Sequence, residues 1–285
     1  MSDAFRMPRA PDTLWFGQNS PSQCDVNAAR GRYGTTMEIF INSSKSMVSS
    51  PGDASLQKPA LQKQAKELDA LLKGYSVAEL AKLMHLSPAL AGETHALIKR
   101  WNTRPLKQTA AIDAFRGDIY RGLIAQTLSD DDRCYARDVL RILSGLYGIL
   151  RPFDAVMPYR LELMYPVSGE NFSNLYQFWG RSIAEKIARK GTIVNLASQE
   201  YFRVIQPYVD ARRVIEPQFM VRMTPDAEIT FAAVYAKVAR GAFARWLITT
   251  RFTDPSEFPS FTEHGYRYMP ELSTPQKPLF LKQVE

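Results

Sequence analysis

The sequence contains little of what metal centres, disulfide scaffolds and membrane spans require. It has two cysteines and three histidines among 285 residues, and none of them has the spacing of a zinc site. Two cysteines provide no disulfide framework, and their scarcity is typical of a reducing compartment. No apolar run is long enough to cross a bilayer, and the first residues lack the layout of a secretory signal. We therefore expect a cytoplasmic protein that contacts no membrane and carries no metal or cofactor.

The charge of the chain is moderately positive. Lysine and arginine number 36 and aspartate and glutamate 29, which gives a formal net charge of +7. Such an excess permits binding to a polyanion such as nucleic acid, but many basic proteins have no such partner. With 45% hydrophobic residues, the chain can bury a substantial core, in one large domain or two small ones.

The chain divides into a tail and a folded region. Residues 1–36 are rich in Pro, Ser, Asn, Arg and Gly and show no hydrophobic periodicity, which predicts a disordered extension. A strand-like segment, MEIFIN, begins at Met37. We therefore expect a single folded domain over residues 37–285.

Hydrophobic periodicity predicts a helix-rich N-terminal half followed by alternating strands and helices. Ser76 and Glu79 have the spacing of a capping box at the start of one helix, and Ser87-Pro88 separates that helix from the next. Further helices are expected at 109–115, 118–126, 130–139, 174–190 and 236–251, and strands at 37–42, 141–144, 192–195, 214–223, 228–235, 266–269 and 279–282. The predicted fold class is mixed α/β, a single domain with a central mixed sheet flanked by helices.

The segment RILSGLYGILRPFDAVMPYRLE, residues 141–162, combines small turn residues, aromatics and arginines. A strand that ends in Ser144-Gly145 is followed by a short helix-like patch at 146–150, and Arg151 and Arg160 come next. We interpret the segment as a strand, a tight turn that exposes backbone N–H groups, and the start of a helix. That arrangement binds anions.

Small polar residues follow three of the predicted strands, at Ser43-Ser44-Lys45, at Ser144-Gly145 and at 196–198. Parallel neighbours would bring these ends to one edge of the sheet, where loop N–H groups and helix N-termini bind ligands. Ordinary turn and capping residues have the same composition, so both interpretations stay open. On the first, the ligand pocket comprises Ser44, Ser144, Gly145, Tyr176, Gln177, Asn195 and Ser198.

The helix predicted at 236–251 carries a basic face. At about 100° per residue, Lys237, Arg240 and Arg251 lie within roughly 60° of one another, and Arg245 is nearby. A basic stripe of this kind can track the phosphates of nucleic acid. A solvated outer face has the same pattern, and that alternative stays open.

A second candidate for nucleic-acid binding lies at 83–101, LMHLSPALAGETHALIKRW. It reads as helix, short break and helix, which is similar to a degenerate helix-hairpin-helix motif. Such a motif would grip a DNA backbone through hairpin amides and basic residues, here Ser87, Ala91, Gly92, Lys99 and Arg100. The usual glycine pair of the hairpin is missing, and a plain helical hairpin packed on the core is the alternative.

The bacterial YaaA family of peroxide-stress proteins resembles this chain in several segments that occur in the same order. These segments are FRGDIYRGL, LSGLYGILRPFD…PYRLE, NLYQFWG, IVNLASQEYF and YAKVARG, and the resemblance covers the chain from about Met37 to its end. It implies a role in peroxide stress, in which damage linked to free intracellular iron is limited. It also implies binding of duplex or distorted DNA through an element like the hairpin at 83–101.

Two hypotheses about function follow. In the first, a basic cleft binds DNA phosphates without sequence specificity, with the hairpin as a second clamp, through Lys45, Arg151, Arg160, Lys237 and Arg240. In the second, an enzyme binds a nucleotide or another phosphorylated small molecule in the pocket, with Lys45 or Lys237 as the acid/base or nucleophile. An open basic groove would favour the first hypothesis, and a deep closed pocket the second. Direct iron sequestration is a weak third reading, because no cluster of His or carboxylate residues has ligand spacing.

Overall fold

The structure is a computed structural model and describes residues 37–49, 56–101 and 108–284. The tail predicted at 1–36 lies outside these residues, so the disordered extension and the domain boundary at Met37 stay predictions. Within the described ranges, no helix has the length and apolar character that crossing a bilayer requires.

A five-stranded sheet forms the centre of the fold. Its spatial order is β6 (Gly148–Leu150), β5 (Leu140–Ser144), β1 (Met37–Asn42), β8 (Thr192–Asn195) and β9 (Val214–Ile215). β1 pairs in parallel with β5 and β8, β9 is parallel to β8, and β6 is antiparallel to β5. The first five residues of β1 are all buried, as expected for the middle strand of a parallel sheet that is covered on both faces. This sheet confirms the predicted mixed α/β class.

Smaller sheets lie outside the central one. Three strands pair in the order β10 (Gln218–Arg222), β12 (Leu279–Gln283) and β11 (Tyr266–Tyr268), with β10 and β12 parallel. The remaining strands form two antiparallel pairs, β2 (Ser46–Met47) with β4 (Phe115–Arg116) and β3 (Thr109–Ala110) with β7 (Ala155–Val156).

Nine α-helices lie within the described residues. They are α1 (Gln62–Leu72), α2 (Val77–Met84), α3 (Pro88–Arg100), α4 (Ala111–Ala114), α5 (Asp118–Leu123), α6 (Asp130–Val139), α7 (Leu175–Ala184), α8 (Gln199–Phe202) and α9 (Ala233–Thr250). Short 3-10 helices occupy Ala125–Thr127, Gln206–Tyr208, Ala211–Arg213, Pro255–Ser260, Glu263–Gly265 and Pro270–Leu272. The predicted capping box of α2 is present, because the Ser76 N–H donates to Glu79 Oε2 at 2.7 Å and the Ser76 hydroxyl accepts from the Glu79 N–H.

Three expectations need correction. Residues 146–150 do not form a helix, because the chain turns back after Ser144 and β6 pairs with β5. The strand predicted at 228–235 is a loop with one bridge at Thr230, and α9 begins at Ala233, since the alanines there favour a helix over the short alternating pattern. Cys134 is disulfide-bonded, which the cysteine count does not indicate.

Helices α5 and α9 pack with their backbones in close contact. A Cβ atom added to Gly241 of α9 would lie 1.8 Å from the carbonyl oxygen of Ile119 in α5. In the other direction, a Cβ on Gly122 would lie 2.0 Å from the carbonyl oxygen of Val238. Glycine is therefore required on both sides of the crossing, and the crossing fixes the first half of α9 against α5.

Candidate functional site

The carboxyl ends of three neighbouring parallel strands lie at one edge of the central sheet. β5 ends at Ser144, β1 at Asn42 and β8 at Asn195. Asn42 is in register with Leu143 of β5, and Phe40 with Asn195 of β8, so the three ends are adjacent. The small polar residues after these strands therefore gather at one edge, as the sequence predicts.

A cavity of about 490 Å³ opens at this edge. Its walls come from the loop that follows β1, from residues 116–120 around the start of α5, from the segments around Glu162 and Ser198–Tyr201, and from α9. Of the residues that the sequence predicts for a site, the cavity is lined by Ser44, Lys45, Ser198, Lys237 and Arg240. A cavity of this size accommodates a small organic molecule.

Arg240 and Lys237 lie one turn apart on α9 and form the cationic part of the cavity. The Arg240 side chain is half-buried, and no hydrogen bond or ion pair joins it to another described residue. Burial lowers the pKa of the Arg240 guanidinium, and the charge of Glu216 opposes this only in part. A guanidinium with unused N–H donors in a partly dehydrated cavity is suited to a phosphate or carboxylate group.

Lys45 is ion-paired on another side of the same cavity. Its Nζ atom lies 3.2 Å from Glu162 Oε2, and Tyr201 donates a hydrogen bond of 3.4 Å to the other oxygen of that carboxylate. Ser43 in turn donates to the Tyr201 hydroxyl at 3.4 Å. Burial acts to lower the pKa of Lys45, but the Glu162 carboxylate outweighs it and the net pKa is raised. Lys45 is therefore held as a cation, which does not favour the nucleophile role that the enzyme hypothesis offers for it.

Glu200 is another carboxyl group that lines the cavity, and it lies near enough to Glu162 for the two charges to interact. Burial and then the charge of Glu162 raise the pKa of Glu200, although an N–H donor from Met164 opposes this. The Oε1 atom of Glu200 is buried and has no hydrogen-bond partner. Two neighbouring carboxyls, one ion-paired with Lys45 and one whose pKa is raised, are an arrangement that can exchange protons with a ligand.

Replacement of Glu200 by glutamine is expected to stabilise the protein at neutral pH. Because its pKa is higher in the folded than in the unfolded chain, ionised Glu200 disfavours folding above that pKa. The thermal midpoint of Glu200→Gln should therefore exceed that of the wild type at pH 7–8. The difference should vanish as the pH falls below the ordinary glutamate value of about 4.3. Glu67→Gln, on the exposed face of α1, is the control, and a gain for Glu200→Gln at acid pH alone would contradict the assignment.

Comparison with known proteins identifies the family. The family model described as peroxide stress protein YaaA matches residues 37–272. The chain belongs to the YaaA family of peroxide stress proteins. It is 48% identical to a UPF0246 protein of Salinispora tropica over 248 residues, which cover 87% of this chain and 94% of the relative. It is 37% identical to a UPF0246 protein of Roseobacter denitrificans over 254 residues, 86% of this chain and 98% of the relative.

Three residues predicted for the pocket of this YaaA-family chain lie at the sheet edge where the cavity opens, but they do not line the cavity. Their polar groups make hydrogen bonds within the protein instead. Ser144 is fully buried, lies 2.6 Å from the Tyr159 hydroxyl and accepts from the Tyr147 N–H at 2.9 Å. The Gly145 carbonyl accepts from the Trp179 indole at 2.9 Å. Asn195 donates to Glu216 Oε1 at 2.8 Å, and its side-chain oxygen accepts from the Ala197 N–H. The Ser144 hydroxyl and the Gly145 carbonyl are therefore used in hydrogen bonds within the protein, and an anion site at the backbone of this turn stays a prediction.

Two further predicted pocket residues lie on α7, outside the cavity lining. The Tyr176 hydroxyl donates to the Glu200 carbonyl at 3.1 Å and thus supports the helix that carries Glu200. Gln177 is exposed, and its side-chain oxygen accepts from the Ser173 N–H at 2.8 Å, beside the first turn of α7.

The arginines proposed for DNA binding differ in their contacts, and most of them do not line the cavity. Arg151 forms an ion pair of 3.0 Å with the fully buried Asp154. Arg160 lies near enough to Lys45 to affect its pKa but does not line the cavity. Arg251, the residue that follows the last turn of α9, pairs with Asp132 at 2.7 Å. Arg245 donates to carbonyl oxygens at the end of α5. The basic face predicted for this helix is therefore divided, and only its first half faces the cavity.

The element at 83–101 is a helical hairpin formed by α2 and α3. Three residues connect the helices, and His85 among them has a φ of 52°. Ser87 caps α3 by accepting from the Leu90 N–H, and the Ala91 side chain is buried. Lys99 donates to the Lys73 carbonyl at 2.7 Å. None of the hairpin residues predicted to grip DNA (Ser87, Ala91, Gly92, Lys99 and Arg100) lines the cavity. A role for them in DNA binding stays a prediction.

The cavity residues that the sequence did not predict include Glu162, Glu200, Tyr201 and Arg116. Glu162, Glu200 and Tyr201 occur in PYRLE and NLASQEYF, two of the family-like segments, which was the available signal. Among the described residues, no group of three or more His, Cys, Asp or Glu is arranged to hold a metal ion.

Proposed function

We propose that this member of the YaaA family limits iron-dependent damage during peroxide stress by binding a phosphate-bearing ligand in the cavity. The observation that carries the proposal is the half-buried Arg240 side chain, which lines the cavity beside Lys237 and makes no hydrogen bond or ion pair with another described residue. Water screens a half-buried cation only partly, so an anion at this position interacts strongly with it. The volume of about 490 Å³ suits a nucleotide or another phosphorylated small molecule.

The groups opposite this pair favour an enzyme over a passive binding protein. Glu162 is ion-paired with Lys45 and accepts a hydrogen bond from Tyr201, whereas the pKa of the neighbouring Glu200 is raised. On this proposal Lys45 orients the Glu162 side chain through their ion pair and is not a nucleophile, because the pKa of Lys45 is raised. Lys237, which is exposed and lines the cavity, contacts the phosphate together with Arg240.

Phosphate and nucleoside monophosphates are expected to raise the thermal midpoint in a dose-dependent manner. At a ligand concentration about 100 times the dissociation constant, the rise should be roughly 5–10 °C. Arg240→Ala should abolish most of this rise, because it removes the unpaired guanidinium. Arg267→Ala is the matched control, since Arg267 is exposed on β11 and does not line the cavity. Equal protection of the two variants would contradict the proposed site.

A second candidate function is sequence-independent DNA binding. The observation in its favour is the net charge of +7 together with two unpaired cations on α9 that reach a surface opening. Phosphates of a DNA backbone would contact Lys237 and Arg240, with Lys45, Arg160 and the α2–α3 hairpin as further contacts.

For this candidate, the double variant Lys237→Ala/Arg240→Ala should weaken binding to all duplexes alike. It should also flatten the dependence of log affinity on log salt by roughly two units. Lys63→Ala/Lys66→Ala removes the same net charge from the exposed face of α1 and is the control. If both double variants lower the affinity equally, overall charge explains DNA binding and the α9 contact is contradicted.

A further inference from the structure

A chain of hydroxyl groups leads from the cavity into the protein core. At the cavity, the Tyr201 hydroxyl donates to Glu162 Oε1 at 3.4 Å and accepts from the Ser43 hydroxyl at 3.4 Å. Further inside, the Tyr159 hydroxyl lies 2.6 Å from the Ser144 hydroxyl. Burial raises the pKa of Tyr159 to about 12, and hydrogen bonds with Ser144 and Ser43 oppose this rise, so Ser43 joins the two parts. We call Tyr201, Ser43, Tyr159 and Ser144 the hydroxyl chain, and all four residues are buried.

The direction of the hydrogen bonds is fixed at both ends of the hydroxyl chain. At the buried end, Ser144 Oγ accepts from the Tyr147 N–H at 2.9 Å, and its other partner among the described residues is the Tyr159 hydroxyl. Because a buried hydroxyl hydrogen needs an acceptor, Ser144 donates to Tyr159. At the cavity end, Glu162 is a carboxylate paired with Lys45, and it can only accept. Each hydroxyl therefore donates towards the cavity.

We propose that the hydroxyl chain positions Glu162 as the hydrogen-bond acceptor that the cavity presents to a ligand. The four members of the hydroxyl chain are positioning residues, and they act on the ligand only through Glu162. This use of Glu162 rests on the proposed phosphate-binding function, in which the carboxylate accepts a hydrogen bond or a proton from the bound ligand. The hydroxyl chain itself is defined by contacts within the protein and does not depend on that function.

Donors from two directions orient the Glu162 carboxylate. Its Oε1 atom accepts from the last hydroxyl of the hydroxyl chain, and its Oε2 atom lies 3.2 Å from Lys45 Nζ. Each carboxylate oxygen can accept more than one hydrogen bond. Because Glu162 also lines the cavity, accepting capacity remains for a ligand group that donates.

The hydroxyl chain strengthens this acceptor site and does not conduct protons. A proton relay needs a far end that releases protons to solvent, but this chain ends at the fully buried Ser144, beside the backbone N–H of Tyr147. Its effect is electrostatic instead. Aligned hydrogen bonds polarise one another, so the Tyr201 hydroxyl is a stronger donor than an isolated hydroxyl. A donor to the charged form of a carboxyl group favours that form.

Other titratable groups also act on Glu162. Lys45 comes from the loop after β1, Glu200 from α8, and Tyr165 from the segment that carries Glu162 itself. Arg160 affects the pKa of Lys45 and of Tyr165 and so belongs to the same cluster. All four groups are kept in the variants that test the proposal, so a change in the titration of Glu162 reports on the hydroxyl chain.

The test is an NMR titration of the full chain labelled with carbon-13 at the glutamate carboxyls, with the Glu162 signal assigned from its loss in Glu162→Gln. In Tyr201→Phe, Glu162 should take up its proton at a pH about one unit higher than in the wild type, because the donor is lost and the ring is kept. In Ser43→Ala the rise should be roughly 0.2–0.3 unit, the share that cooperative polarisation contributes. Tyr208→Phe is the control, since Tyr208 is exposed and does not line the cavity.

The outcomes separate the positioning role from the function that uses it. An unchanged titration of Glu162 in Tyr201→Phe overturns the proposal, and so does a wild-type titration in Ser43→Ala. If Ser43→Ala does not fold, Tyr159→Phe interrupts the hydroxyl chain at the next hydroxyl, and a wild-type titration there overturns the proposal equally. The titration needs no ligand, so its failure leaves the phosphate site standing. Failure of phosphate and nucleoside monophosphates to raise the thermal midpoint overturns the proposed function and the use of Glu162 on a ligand.

Discussion

Gly241→Ala is expected to destabilise the protein by about 3 kcal/mol, at the upper end of the range for overpacked cores. The new Cβ would lie 1.8 Å from the Ile119 carbonyl oxygen, and this neighbour is backbone, which cannot move aside as a side chain can. Helices α5 and α9 must therefore separate. For a chain of this size the thermal midpoint should fall by roughly 6–12 °C.

Gly92→Ala is the matched control for this effect. Gly92 also lies inside a helix, but a Cβ at that position has no atom within 4 Å. The same substitution should stabilise there by about 0.5–1 kcal/mol, because alanine loses less conformational entropy than glycine in a helix. Opposite signs for the two variants are predicted. A neutral or stabilising Gly241→Ala would contradict the close crossing of the helices.

Asp154→Ala is expected to cost about 2–3 kcal/mol of stability. Asp154 is fully buried and accepts three hydrogen bonds from Arg151, at 2.8 Å from the backbone N–H and at 3.2 and 3.0 Å from the guanidinium. The cost is lower than the roughly 3–5 kcal/mol of a fully buried pair, because the Arg151 side chain is 42% exposed and water can hydrate it. Urea denaturation measures the change directly.

Asp210→Ala is the control for Asp154→Ala. Asp210 accepts from Arg212 at 2.7 Å in an exposed ion pair, so its loss should change the denaturation midpoint much less. Equal effects of the two substitutions would show that Asp154 does not anchor Arg151.

The same interaction bears on function, since an arginine held by a buried carboxylate is a poorer phosphate ligand than the unpaired Arg240.

The edge of the sheet at which the cavity opens could be predicted from sequence because its determinants are local. Buried apolar runs such as MEIFIN and TIVN specify parallel strands, and small polar residues after them mark the carboxyl ends. Ser44 and Ser198 follow β1 and β8, and both line the cavity. Helical periodicity is also a local property of the sequence, and it correctly predicted that Lys237 and Arg240 share one face of α9.

The side-chain contacts of the candidate site could not be predicted, because they join residues that are distant in sequence. Lys45 and Glu162 are 117 positions apart by their residue numbers, so a sequence pattern could not reveal that a carboxylate raises the pKa of the lysine. Ser144 lies at the predicted strand end, but its hydroxyl is hydrogen-bonded inside the protein to the Tyr159 hydroxyl and the Tyr147 N–H. The hairpin of β5 and β6 was interpreted as strand and helix because three residues are too few to show a period of two.

The position of a bound anion tests the central claim most directly. Crystals of the protein soaked with tungstate, an anomalous scatterer that stands in for phosphate, locate that anion without assumptions about the ligand. The account predicts a strong anomalous peak in the cavity within hydrogen-bond distance of the Arg240 guanidinium and close to Lys237, and no such peak in Arg240→Ala crystals. A peak at the α2–α3 hairpin with none in the cavity would contradict it.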